Sequence, residues 1–296
     1  MWHKRYWLLL HSVDGIGAAT YRKLIERFGS PEDVFAASAE EIAQIPRLSE
    51  KKAAQILQKA DGLAEVEALM EQLDRAEIYA LTMWDATYPE CLKAVHHPPP
   101  ILYIYGRIKP EDERAVAIVG SRDASEHALK IARGLGRRLA REGITVVSGY
   151  ARGIDTAGHL GALEGEGRTI MVLSNGILHF KLRDAGFETR ERLASSGAIL
   201  SELFPTVQWT VGAAMARNRI VVGLSRAVVV VECGLKSGTM HTAGTARKMG
   251  KPLFVLQYSE GHDGTSGNRA LLEQGAEPIV SYRDVGKIAA AVEGFG

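Results

Sequence analysis

At 296 residues the chain is long enough for one large and one small domain, each with its own core. Hydrophobic content of 46% with 24% charged residues is ordinary for a soluble globular protein, and a formal net charge of +1 excludes a general affinity for polyanions, so any nucleic-acid contact must use locally concentrated cations. Two cysteines, Cys91 and Cys233, exclude a disulfide framework or a metal quartet and read as partly buried thiols in a reducing cytoplasm. The basic opening at residues 1–11 breaks its apolar run at His11 and lacks a small-residue cleavage site. No later window approaches a membrane-spanning length, so a cytosolic protein is expected.

Residues 7–75 read as helices only. Val13-Asp14-Gly15-Ile16-Gly17 runs into a helix at 19–28, and Pro31 and Ser38 mark two further helix starts. A hydrophobic-Gly-x-Gly turn opening a helix is half of a helix-hairpin-helix, whose backbone amides can hold a phosphate. At the second hairpin both glycines are replaced, in Ile45-Pro46-Arg47-Leu48-Ser49, and Arg47 and Ser49 do not readily take positive φ. This small domain, residues 1–75, therefore reads more readily as a structural or protein-interaction module than as a DNA contact.

Residues 76–110 form a connecting module of the second domain, 76–296. Two strand-like segments, 78–82 and 101–105, flank Trp84-Asp85, Tyr88-Pro89 and the run His96-His97-Pro98-Pro99-Pro100, which forces extended backbone. The adjacent histidines are expected to point in different directions, as a solvated turn rather than a metal site. From residue 115 strands and helices alternate. Strands are predicted at 115–119, 144–147, 169–173, 198–200, 227–231, 252–256 and 278–280, with helices near 126–142, 156–163, 187–194, 213–222, 241–249, 268–274 and 284–292. That alternation predicts an α/β fold with a doubly wound, mostly parallel sheet and right-handed crossovers.

In such a sheet the strand C-termini and helix N-termini gather on one edge, where free N–H groups and helix dipoles favour an anion. Three loops at that edge carry the same chemistry. Gly120-Ser121-Arg122 follows the first parallel strand and lacks the Gly-x-Gly-x-x-Gly spacing of a dinucleotide site, while its hydroxyl, amides and guanidinium suit a phosphate oxygen. Gly149-Tyr150-Ala151-Arg152-Gly153-Ile154-Asp155 places a second arginine between glycines, with Asp155 expected to cap the next helix and orient Arg152. Glu232 precedes a third loop, Lys236-Ser237-Gly238-Thr239, which opens a helix. None of the three supplies an evident nucleophile and base, and no metal or cofactor site is read. Arg217-Asn218-Arg219 adds two guanidiniums on the preceding helix. Lys130, Arg133, Arg137 and Arg141 form a stripe that reads as a solvated face.

These residues, in order and approximate spacing, resemble the DNA processing protein A family, DprA or Smf. The resemblance is carried by Tyr88-Pro89, Gly120-Ser121-Arg122, the Gly149 to Asp155 loop, Ser201-Glu202, Arg217-Asn218-Arg219-Ile220 with Gly223-Leu224-Ser225, and Ser237-Gly238-Thr239 with Thr242-Ala243. It implies an extended Rossmann-like domain, preceded by a small SAM or helix-hairpin-helix domain, that binds single-stranded DNA, forms a homodimer and helps load a RecA-type recombinase in natural transformation, without catalysis. Ser121 and Arg122 would hold phosphate or sugar, Arg152 and Lys236 would line the groove, and Arg217 and Arg219 would clamp the strand. Asn218, Glu202 and Glu232 would orient them.

The chain departs from the family pattern in four places. Ala214-Met215 replaces a usual Phe-Pro, removing an aromatic. Gly176 to Leu182 replaces a Gly-Leu-Asp-x-x-Tyr-Pro segment, with Lys181 offering a substitute phosphate contact. The segment 259–269 differs from the usual continuation, and the winged-helix tail of many members is absent. Phe180 and Trp209 are the candidates for base stacking. The alternative is a nucleotide sensor or a phosphoribohydrolase of the LOG type, whose glycine-rich loop the segment 236–239 resembles; the catalytic glutamate position there holds Thr242. A third reading is a protein adaptor whose groove has lost its ligand.

Overall fold

The computed structural model describes residues 4–182, 184–259 and 263–295. Residues 260–262, inside the divergent segment 259–269, lie outside the described residues, as do residues 1–3 of the basic opening.

Six helices come first: α1 (Arg5–His11), α2 (Ala18–Phe28), α3 (Pro31–Ala36), α4 (Ala39–Ala43), α5 (Glu50–Gln58) and α6 (Leu63–Arg75). Their starts are set by local chemistry. Ser30 accepts from the Asp33 amide ahead of Pro31, and Ser38 and Glu41 form a reciprocal capping box at α4. The second hairpin turn, between α4 and α5, overturns one expectation. Arg47 does take positive φ, at 76°, so the turn closes without its glycine.

β1 (Ile78–Thr82), α7 (Glu90–Lys93) and β2 (Ile101–Gly106) follow, and then the alternation begins: β3 (Ala115–Val119), α8 (Glu126–Arg141), β4 (Thr145–Ser148), α9 (Ile154–Glu164), β5 (Thr169–Val172), α10 (Arg190–Ser195) and β6 (Gly197–Ser201). The chain continues through α11 (Val211–Gly223), β7 (Ala227–Val230), α12 (Gly238–Lys248), β8 (Leu253–Leu256), α13 (Ser266–Glu273), β9 (Glu277–Ile279) and α14 (Val285–Gly294). The nine strands form one sheet in the order β1-β2-β6-β5-β4-β3-β7-β8-β9. β1 and β2 run antiparallel, as does β2 against β6, and the remaining neighbours are parallel. The central strands are buried on both faces, hence their unbroken Val, Ile and Ala runs.

From β3 the chain builds outward through β4, β5 and β6, then crosses back along α11 to place β7 on the other side of β3. The reversal opens a crevice beyond the C-terminal ends of β3 and β7, the topological switch point at which open α/β sheets bind ligands. The helical region packs on the sheet face of β1, β2, β5 and β6: Leu8, Leu9, Tyr21 and Leu73 share one buried cluster with Tyr103, Met171 and Ile199. His11 Nδ1 lies 2.9 Å from the Tyr103 hydroxyl, and Lys4 donates to the Ala80 carbonyl at 2.8 Å and to Asp85 at 2.7 Å.

Candidate nucleic-acid interface

The three loops read from the sequence interlock at the switch point. Ser121 N–H donates to the Glu232 carbonyl at 2.7 Å, and Ile154 N–H donates to the Ser121 carbonyl at 3.2 Å. Gly153 approaches so closely that a Cβ there would stand 2.3 Å from the Ser121 oxygen, and its φ of 87° is one that side-chain-bearing residues rarely adopt. Gly153, not Asp155, is the N-cap of α9; Asp155 sits in the first turn, buried. Its carboxyl is pushed up by burial, against the opposing pull of Arg217, the Ser148 hydroxyl, the Ala151 backbone and Arg122. Arg152, which Asp155 was expected to orient, pairs instead with Asp123, both exposed.

Glu232, at the end of β7, reaches across to the loop after β3. Its buried carboxylate accepts from the Ser125 amide at 3.0 Å and the Ser125 hydroxyl at 2.7 Å. Ser125 in turn caps α8 by accepting from the Ala128 amide, so one carboxylate at the end of β7 fixes the whole loop after β3.

The cleft these loops enclose is about 350 Å³. Gly120, Ser121 and Arg122 form one wall, Gly149 and Arg217 the floor, and Ser237, Gly238 and Thr239 with Asn218 the opposite side. Arg122 is exposed and makes no ion pair among the described residues. Arg217 is 7% exposed; burial lowers its pKa against the pull of Asp155. One guanidinium nitrogen donates to the Val172 carbonyl at 2.8 Å, Nε has no hydrogen-bond partner, and no carboxylate comes within ion-pair distance among the described residues. Gly149 makes room for it, since a Cβ at Gly149 would stand 1.7 Å from Nη1. The Gly149 carbonyl is itself pinned by His159 Nε2, which donates at 2.6 Å from a fully buried ring.

An apolar ridge faces the cations. Trp209, one of the two stacking candidates read from the sequence, is 48% exposed and lines the cleft with Val211 and Met215. Phe180, the other stacking candidate, is buried and packs on Tyr150 with ring centroids 5.3 Å apart. The ridge joins Trp209, in the loop before α11, to Val211 and Met215 on α11 itself.

The remaining expected residues are dispersed around this cleft. Arg122 also lines a neighbouring cavity of about 770 Å³ that holds Arg152, Gly153, Lys130 and Tyr150. Lys236 is exposed one residue before the wall at Ser237, and Lys181 is exposed and lines neither cavity. Arg219 does not reach the cleft: its guanidinium binds Glu202 through two nitrogens, and Nε donates to the His97 carbonyl at 3.1 Å. Thr242, at the position of the hydrolase glutamate, is buried with its hydroxyl donating to the Gly238 carbonyl at 3.3 Å.

A doubly wound sheet with a cationic, amide-lined crevice at its switch point places the chain among α/β proteins whose strand-end crevice can take an anion. Comparison with known proteins makes the class particular. Residues 79–290 match the family model described as DNA recombination-mediator protein A, and residues 8–61 match a SAM-like helix-hairpin-helix tandem. The chain is 33% identical over 280 residues to protein Smf of Synechocystis sp., covering 93% of this chain and 70% of that one. It is 32% identical over 206 residues to DNA processing protein DprA of Streptococcus pneumoniae, 70% and 72% of the two chains. The crystal structure of that S. pneumoniae protein superposes with a TM-score of 0.79 at 26% identity, covering 96% of this chain and 97% of the other. DNA processing protein A of Helicobacter pylori, described as binding single-stranded DNA, superposes with a TM-score of 0.64 at 30% identity over 74% of this chain and 98% of its own. The chain belongs to the DNA recombination-mediator protein A family.

Proposed function

We propose that this protein binds single-stranded DNA at the switch-point cleft and presents it for recombination. The observation that carries the reading is Arg217, a buried guanidinium that feels Asp155 but makes no ion pair within 4 Å among the described residues and leaves Nε without a hydrogen-bond partner, set in the floor of a crevice ringed by amides and hydroxyls. A phosphodiester supplies the missing charge and acceptors. Trp209 opposite offers a face for an unpaired base, and Arg122 leads the next phosphate toward Arg152 and Lys130. A cleft of about 350 Å³ admits one unstacked nucleotide and excludes a duplex.

By family resemblance the partner that takes over the strand is a RecA-type recombinase, and the protein works as a homodimer through its α/β domain, residues 76–296, with the helical domain at residues 1–75 attached. Light scattering of the purified chain tests the dimer. The strand reading is tested by filter retention of single- and double-stranded oligonucleotides across a salt series. Single strands are retained, with affinity falling linearly in log salt, and Arg122→Ala weakens retention while leaving the fold intact. Equal or negligible retention of both forms at low salt would falsify it.

A further inference from the structure

Two further hollows adjoin the cleft on the far side of α11. The first, about 620 Å³, is bounded by residues 91–97 and by the face of α12 that carries His241 and Lys248; it shares Met215 with the cleft. The second, about 450 Å³, shares Ala94, His96 and His97 with the first and ends at Ala18 and Ala19, the N-terminus of α2, beside Arg22 and Lys93. The three depressions are therefore neighbours, with Met215 between the first two and the His96–His97 pair between the last two, in a series from the switch point to the helical domain's first hairpin.

Their chemistry is of one sign. No carboxylate lines either hollow among the described residues. Arg22, His96, His241 and Lys248 have no ion pair or side-chain hydrogen bond among the described residues, and Lys93 pairs only with Glu90 at the exposed rim. Gly17 caps α2 without a side-chain bond, leaving first-turn amides open. The step between the two hollows is a built feature. The expectation that His96 and His97 diverge is overturned: His97 takes φ 56°, and the two ring centroids lie 3.9 Å apart. A non-glycine residue in that region stays there only when its surroundings hold it. Arg219 does so through the His97 carbonyl, and Glu202 holds Arg219 in turn. Arg219, which resemblance assigned to strand clamping, is thus, with Glu202, a positioning device for the histidine step.

We propose that a single strand held at the switch point continues past Met215 and over the His96–His97 step to the N-terminus of α2, so that both domains grip one polyanion. This rests on the strand reading of the first cleft. Unpaired Arg22 and Lys248, with Lys93 at the rim and imidazoles between them, in acid-free hollows next to a phosphate cleft, are what successive phosphates of one strand require.

The test compares labelled oligothymidylates of five and twenty-five nucleotides by fluorescence anisotropy with the full chain. In the Arg22→Glu/Lys248→Glu double variant the longer strand should weaken at least tenfold, with the salt slope reduced by about 1.4, two phosphates at roughly 0.7 each. The five-nucleotide strand, which occupies the first cleft and its Arg152 side but is too short to reach α2, should bind within about twofold of wild type. His97→Gly, which removes the ring and frees the backbone at the step, should weaken the longer strand alone. The inference is overturned if both lengths weaken equally, or if neither changes while Arg122→Ala abolishes binding of both. It is equally overturned if polyglutamate binds the wild type as well as the longer strand does, because the track is then a peptide site. Failure of the wild type to bind either length removes the strand reading itself.

Discussion

Gly149→Ala isolates how the cleft stores its cation. The added Cβ would lie 1.7 Å from Arg217 Nη1 and 2.4 Å from Cζ, far inside the roughly 3.5 Å at which heavy atoms touch, so the guanidinium must retreat by on the order of 2 Å. That displacement breaks the 2.8 Å bond to the Val172 carbonyl and leaves a buried charged donor unpaired, a cost of about 1.5–3 kcal/mol. Loss of a charge-assisted phosphate contact weakens binding by a similar amount, roughly 10- to 150-fold in Kd. Anisotropy with a labelled oligothymidylate and urea unfolding measure the two effects. A double-mutant cycle with Arg217→Ala separates mechanism from coincidence: because Gly149 acts through Arg217, the double variant should bind no worse than Arg217→Ala, within about 0.5 kcal/mol. Wild-type affinity in Gly149→Ala, or additive losses in the cycle, would refute the reasoning.

Other variants probe the loops, the floor and the ridge. Glu232→Gln keeps the shape but replaces one acceptor with a donor facing Ser125; the urea midpoint should fall by an amount equivalent to about 1–3 kcal/mol, with weaker DNA binding as the β3 loop loosens. His11 and His159 are both pushed down to about 4 by burial, from 6.5. Their unfolded forms take up protons near 6.5 and their folded forms only near 4, so the unfolded state binds more protons between those values. Stability should therefore be full above about pH 6.5 and decline toward pH 4 at about 1.4 kcal/mol per pH unit for each ring, and His159→Gln should flatten that slope in urea melts by one ring's share. Trp209→Ala should cost about 1–3 kcal/mol in oligonucleotide binding, and wild-type tryptophan emission should be quenched by a normal strand but not by an abasic one. Quenching of Trp209→Phe equal to wild type would assign the signal to another tryptophan.

What the sequence determined by itself was what depends on neighbours a few residues away. The unbroken apolar runs at 115–119, 170–173 and 227–231 can be read as covered strands because burial on both faces is written into consecutive residues. The caps at Ser30 and Ser38 are equally local. The three glycine-bearing loops could be assigned to one sheet edge, since every parallel strand ends there. Strand order could not be read in the same way, because it depends on where α11 carries the chain after β6, and only that crossing puts the loops after β3 and β7 against each other. The partner of each charge was hidden for the same reason. Arg217 and Arg219 are two residues apart on one helix, about 200° around its axis. One therefore forms the cleft floor against Gly149, while the other faces Glu202 and the His97 turn. Sequence spacing records that both are arginines near a candidate phosphate site; the packing of α11 against the sheet decides that Arg219 is held by Glu202 while Arg217 makes no ion pair within 4 Å among the described residues.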